Sequence, residues 1–159
     1  MFRSAVLTTV TAVLLSISAA PAFAGPTETA FLQKLSANWV GKGKLTGAQT
    51  GAIACRIVIT ACGKSAKFQG RCNIPDMAAQ AFNGAISYND AKKQYETRSV
   101  GGTVVGQKRG NSLVFTTTDR TMAGTSYSTM TISPSSLAVD FALVDKNGDK
   151  TTSHITFSK

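Results

Sequence analysis

Histidine occurs once in the 159 residues, at His154, tryptophan once, at Trp39, and cysteine three times. A single histidine cannot build a histidine-rich metal cluster, and no Ser-His-Asp order accompanies a nucleophile-elbow motif. Acidic residues are scarce too, 8 against 17 Lys and Arg. Asp76, Asp90, Asp119, Asp145 and Asp149 fall in predicted turns, so the carboxylates give little support to catalysis. The Asp145-Lys146-Asn147-Gly148-Asp149 run lacks the downstream Glu of an EF-hand loop and reads as a hairpin turn with an Asn-Gly step. Gly101-Gly102 and Gly106 precede no helix, which excludes a phosphate loop. The chain therefore reads as a non-catalytic protein with no metal site. Internal repeats, low-complexity tracts and linkers are absent as well, and past the N-terminus no apolar run is long enough to span a membrane as a helix.

The N-terminus has the layout of a secretory signal. Arg3 supplies one positive charge, an apolar run extends from Ala5 to Ile17, and Pro21-Ala22-Phe23-Ala24-Gly25 offers a small-x-small cleavage pattern after Ala24. The alternative is an uncleaved anchor, for which the run is short, since a spanning helix takes about 20 apolar residues. No cysteine follows the cleavage point to carry a lipid. The expected organisation is a signal peptide over 1–24 and one domain over 25–159, periplasmic or secreted after cleavage. That domain, 135 residues long, is large enough to bury its own core.

Without Arg3, sixteen Lys and Arg remain against eight acids, an excess of +8. An anionic surface or an acidic protein would be attracted, although general solubility explains the same charge. Nucleic acid is not expected, because no aromatic platform interleaves the charges.

Pro26-Thr27-Glu28 leads into a short predicted helix, capped by Thr27 or a neighbour, with Phe31, Leu32 and Leu35 on one stripe. After Trp39 the helical period gives way to β segments rich in Val, Ile, Thr, Phe and Tyr, separated by turn residues. They fall at 39–46, 51–61, 64–72, 82–88, 93–100, 102–108, 112–118, 124–133, 136–145 and 150–158. Pro75 to Ala81 has no β character and reads as a helical turn or a lid-like loop. Ten strands in simple succession predict an all-β, antiparallel up-and-down barrel, because closure removes exposed edges.

The segment from Ala54 to Cys72 is the most informative. With Gly63-Lys64 as a two-residue turn, Cys55 faces Cys72, Ile57 faces Gly70, Ile59 faces Phe68 and Ala61 faces Ala66 on one side of the hairpin. Arg56/Arg71, Val58/Gln69, Thr60/Lys67 and Cys62/Ser65 occupy the other. Slipping by one residue would scramble this sorting. Cys55/Cys72 then sits at a non-hydrogen-bonded pair, where α-carbons approach to about 4.5 Å, within disulfide reach. Cys62 is left as a free thiol on the outer face; in a different register it would pair instead.

Leu35-Ser36-Ala37-Asn38-Trp39-Val40-Gly41-Lys42-Gly43 resembles the W-x-G-x-G opening of nitrobindin-like and related ten-stranded calycin barrels. Gly84 to Glu96 is similar to their strand, acidic turn and K-x-Y strand, and Thr129 to Lys159 to their closing hairpins. The resemblance implies an internal cavity for an apolar or amphipathic ligand. In nitrobindins it also implies haem held by a C-terminal histidine, for which His154 is the one candidate. The alternation around Ile155 and Phe157 points His154 outward, so no cofactor is expected beyond that haem possibility.

The leading expectation is thus an exported barrel binding a small apolar or amphipathic molecule, with Trp39, Ile57, Ile59, Phe68, Tyr95, Phe115 and Phe141 as lining candidates. The same residues could instead fill a solid core. A second expectation is a protein-binding barrel of the protease- or lysozyme-inhibitor type, acting through its loops and a basic face of Lys42, Lys44, Arg56, Lys67 and Arg71.

Overall fold

The Gly63-Lys64 turn sets the pairing from which the rest of the sheet grows. Gly63 has φ of 57° while Lys64 does not share a positive φ, as a type II′ turn requires. The computed structural model describes residues 25–74 and 79–159; the predicted leader and Pro75 to Ala78 lie outside the described residues. Every pair expected across this turn is present, from Cys62 opposite Ser65 out to Cys55 opposite Cys72. Cys55 and Cys72 form a disulfide, with their α-carbons 4.1 Å apart, and Cys62 is free and exposed.

The chain forms α1 (Pro26–Lys34) and ten strands: β1 (Ala37–Gly47), β2 (Gly51–Cys62), β3 (Ser65–Asn73), β4 (Gln80–Asn89), β5 (Gln94–Ser99), β6 (Gly102–Arg109), β7 (Ser112–Thr121), β8 (Gly124–Ile132), β9 (Leu137–Asp145) and β10 (Lys150–Ser158). Each strand pairs antiparallel with the next, and β10 returns to β1 to close the barrel. The strands begin and end within three residues of the predicted segments. Gln80 and Ala81, predicted to be loop, instead open β4, because Cys72 and Arg71 on β3 provide pairing partners for them.

Alternation puts odd-numbered residues of β1, β2, β5, β7, β9 and β10 inside, and the register carries the same sorting around the ring. Several inward glycines lie directly opposite a phenylalanine: Gly41 opposite Phe157, Gly70 opposite Phe82, Gly84 opposite Phe68, and Gly106 opposite Phe115. A Cβ at Gly106 would come within 2.4 Å of the Phe115 ring, so the ring lies across the bare backbone of its neighbour. Large rings are thereby accommodated in a narrow barrel that strict large-opposite-large pairing would burst.

Helix α1 plugs the end that also holds the β2–β3, β4–β5, β6–β7 and β8–β9 turns. Gly25 is its N-cap and makes no side-chain capping bond, with Pro26 in the first turn. Thr27, expected with its neighbours as the cap, lies inside the helix instead, because Pro26 takes the first helical position, which its fixed φ and missing N–H suit. Phe31, Leu32 and Leu35 are buried as the stripe predicts, in one cluster with Trp39 and Tyr95. Phe31 meets Tyr95 edge-on at 5.9 Å, and Tyr95 meets Tyr88 at 5.0 Å. Past the helix, the Ser36 hydroxyl accepts a hydrogen bond from the Ala61 N–H at 2.7 Å, tying the linker to β2. At the opposite end, in the β9–β10 hairpin, one Asp145 carboxylate oxygen accepts the N–H groups of Asn147 and Asp149. Those bonds account for the acidic run as turn chemistry.

Candidate functional site

Inside the barrel the two broad walls, β2–β4 and β8–β10, do not meet. They leave a cavity of about 240 Å³, lined by Ile57, Ile59, Phe68, Phe82, Met130 and Val139 among others. Apart from Ser128 and the Cys72 sulfur, every lining side chain is hydrocarbon or thioether. The missing bulk has a local origin. Gly70 and Gly84 supply no side chain to this wall, and the rings of Phe82 and Phe68 lie over them rather than reaching across.

Of the seven side chains expected to line a ligand site, Ile57, Ile59 and Phe68 line this cavity. Trp39, Tyr95, Phe115 and Phe141 do not. Trp39 and Tyr95 sit at the plugged end beneath α1, where they are 1% and 3% exposed. Phe115 packs over Gly106 on the far side of the barrel. Phe141, paired with Ser128 and Ser153, lies closer to the open end. Phe82, Ile86, Met130, Ile132, Leu137, Val139, Ile155 and Phe157 complete the lining. Their inward parity was readable in several strands, but their height along the barrel depends on the inter-strand register.

Toward the open end the β7–β8 wall turns polar. The Thr117 and Ser128 hydroxyls are hydrogen-bonded across the strands at 2.8 Å, with Asp119 and Ser126 the next cross-strand pair toward the rim. At the plugged end the Tyr95 hydroxyl has no hydrogen-bond partner. Burial, then the nearby Glu28 carboxylate and the Tyr88 phenol, push its pKa up to about 12, so it stays a neutral phenol.

His154 is on the exterior, with its Nδ1 2.5 Å from Asp140 Oδ1. Strand parity aims it away from the cavity, and no other histidine exists in the chain. The cavity is also smaller than the roughly 300 Å³ at which small-molecule pockets usually begin. The residues present thus do not fit an interior haem. A larger, open groove of about 820 Å³ crosses the outer face of β8, β9, β10 and β1, with Lys42, Lys44, Tyr127, Asp140 and His154 along it. The groove is open to water, whereas the interior cavity is more enclosed and lined almost wholly by apolar side chains.

Glu96 faces outward by parity but is only 2% exposed. Its carboxylate accepts hydrogen bonds from Gln94 at 3.0 Å, Arg98 at 3.1 Å and Asn89 at 2.9 Å, with Lys92 at 3.8 Å. The Gln94 bond, then those of Arg98 and Asn89 and the Lys92 charge, hold the carboxyl below its ordinary 4.5, although burial pushes the other way. A depressed folded-state pKa contributes stability that is present above the unfolded value and lost as pH falls through the folded one. Urea midpoints for the native protein should therefore fall relative to those of Glu96→Gln as pH drops below 4.5. A constant difference across that range would show that the carboxylate adds no pH-dependent stability.

The basic face is borne by the outer sides of β1–β3, where Lys42, Lys44, Arg56, Lys67 and Arg71 are all exposed. No family model matches the chain, and no curated protein matches it in sequence.

Proposed function

We propose that the protein is an exported, non-catalytic barrel that carries a small apolar molecule between its two broad walls, and that it is related to the calycin barrels. The observation that carries this reading is the apolar cavity of about 240 Å³. An apolar cavity of about 150 Å³ is enough to bind benzene, so this one suits a substituted single ring or a short branched chain. Ten strands in simple succession behind a plugging helix support the kinship, and the disulfide supports an oxidising compartment.

The test uses p-xylene followed by ligand-observed NMR. Its resonances should broaden with the native protein and not with Val139→Phe, which places a ring in the cavity beside Met130 and Ile155. The affinity should fall at least about tenfold, while the melting temperature holds because the new ring fills existing space. No broadening with the native protein, or equal broadening with both, refutes the carrier reading.

A further inference from the structure

Between Glu28 and Asp76 the chain contains no carboxylate at all. That stretch builds β1, β2 and β3, and alternation puts Lys42, Lys44, Arg56, Lys67 and Arg71 on the outer face of these strands. The register fixes their spacing. Arg56 lies directly opposite Arg71, and Lys42 lies opposite Ala54, one step along the same face from Arg56. Like charges placed directly opposite destabilise a strand pair, and among the described residues none of the five is within ion-pair distance of a carboxylate. The fold thus tolerates this cluster without using it.

What surrounds the cations narrows what they meet. Ala54 and Ala81 border the arginine pair on two sides with small side chains, Ala81 being the β4 partner of Arg71. Val40, the β1 partner of Arg56, is 44% exposed, and Val58 is 39% exposed. No aromatic residue faces outward from β1, β2 or β3. Stacking on nucleobases has no platform there, and the aromatic anchors that centre protein interfaces are missing.

We propose that this face docks on a bilayer of anionic phospholipid. The Arg56 and Arg71 guanidinium groups and the Lys42 ammonium share headgroup phosphates, Lys44 and Lys67 extend the contact, and Val40 and Val58 meet the layer beneath the phosphates. Headgroups diffuse laterally and so adjust to cations spaced unevenly over three strands, which a rigid acidic partner would have to match. This docking is independent of the cavity and stands whether or not p-xylene binds.

The experiment is co-sedimentation of the protein, as isolated from the cells that express it, with phosphatidylcholine vesicles and with vesicles of equal parts phosphatidylcholine and phosphatidylglycerol. Binding should occur with the anionic vesicles alone and weaken as salt is added. The double substitution Arg56→Gln and Arg71→Gln should lower the partition coefficient roughly thirtyfold, with an unchanged or higher melting temperature. The pair Lys146→Gln and Lys150→Gln removes the same charge from the β9–β10 hairpin and should cost far less. Four results overturn the proposal: no binding to anionic vesicles, equal binding to neutral ones, equal losses in the two double variants, or binding to soluble polyglutamate as tight and as sensitive to Arg56 and Arg71. The last would assign the face to an acidic protein.

Discussion

Replacing Trp39 with alanine should lower the stability of the barrel by about 3 to 5 kcal/mol, the range for emptying a large aromatic site in a core. Trp39 is 1% exposed, sits opposite Ile57, and shares the plugged end with Leu32 and Leu35 of α1. Its ring also lies 5.1 Å from the Lys159 ammonium, so the C-terminal end of the sheet closes over it. The indole Nε1 has no hydrogen-bond partner. Trp39→Phe should therefore lose shape alone and cost less than about 1.5 kcal/mol. Urea denaturation followed by far-UV circular dichroism separates the two variants, and it suits both because neither keeps a tryptophan to report by fluorescence. A loss near 1 kcal/mol for alanine would mean that α1 settles into the vacated space, and that Trp39 does not hold the plug in place.

The parts of this molecule that alternation controls were legible in the sequence. Ten strands, their order and the Cys55–Cys72 bridge all follow from a period of two, anchored by one two-residue turn. Parity alone also places His154 outside. Alternation says which face a side chain takes but not at what height it lies. Phe115 and Phe141 look equivalent to Ile57 because the inner faces of β7, β9 and β2 follow the same alternation; separating them needs the β6–β7 and β8–β9 registers, which no tight hairpin in the sequence announces as clearly as Gly63-Lys64 does. The Phe–Gly pairs were hidden for the same reason, since Gly84 is 16 positions from the Phe68 whose ring covers it. Glu96 shows the opposite failure. Its parity is outward, but Asn89, Gln94 and Arg98 fold over it with hydrogen bonds to its carboxylate, a side-chain arrangement that period and composition do not encode.

Removing the Cys55–Cys72 bridge, by alanine at both positions, should cost about 3 kcal/mol, the loop-closure value for a segment of this length. The effect differs in kind from that of Trp39→Ala. Trp39 acts on the folded state, where its ring fills space, whereas the bridge acts mainly by restricting the unfolded chain. The β2–β3 ladder still pairs position 55 with position 72 once the sulfurs are gone. The folded double variant should consequently keep its near-UV and far-UV spectra while its urea midpoint falls. Dithiothreitol should shift the native protein by the same amount and leave the alanine variant unchanged, and Cys62→Ser should match the native protein throughout, because Cys62 is exposed and unbridged. A midpoint insensitive to reductant would show that the bridge does not form. The bridge also meets the interior cavity, because Cys72 is part of its wall. Alanine there trades a sulfur for empty space beside Phe82, so p-xylene should still bind the folded double variant. Loss of binding alongside intact spectra would mean that the bridge shapes the β2–β4 wall of the cavity as well as stabilising the fold.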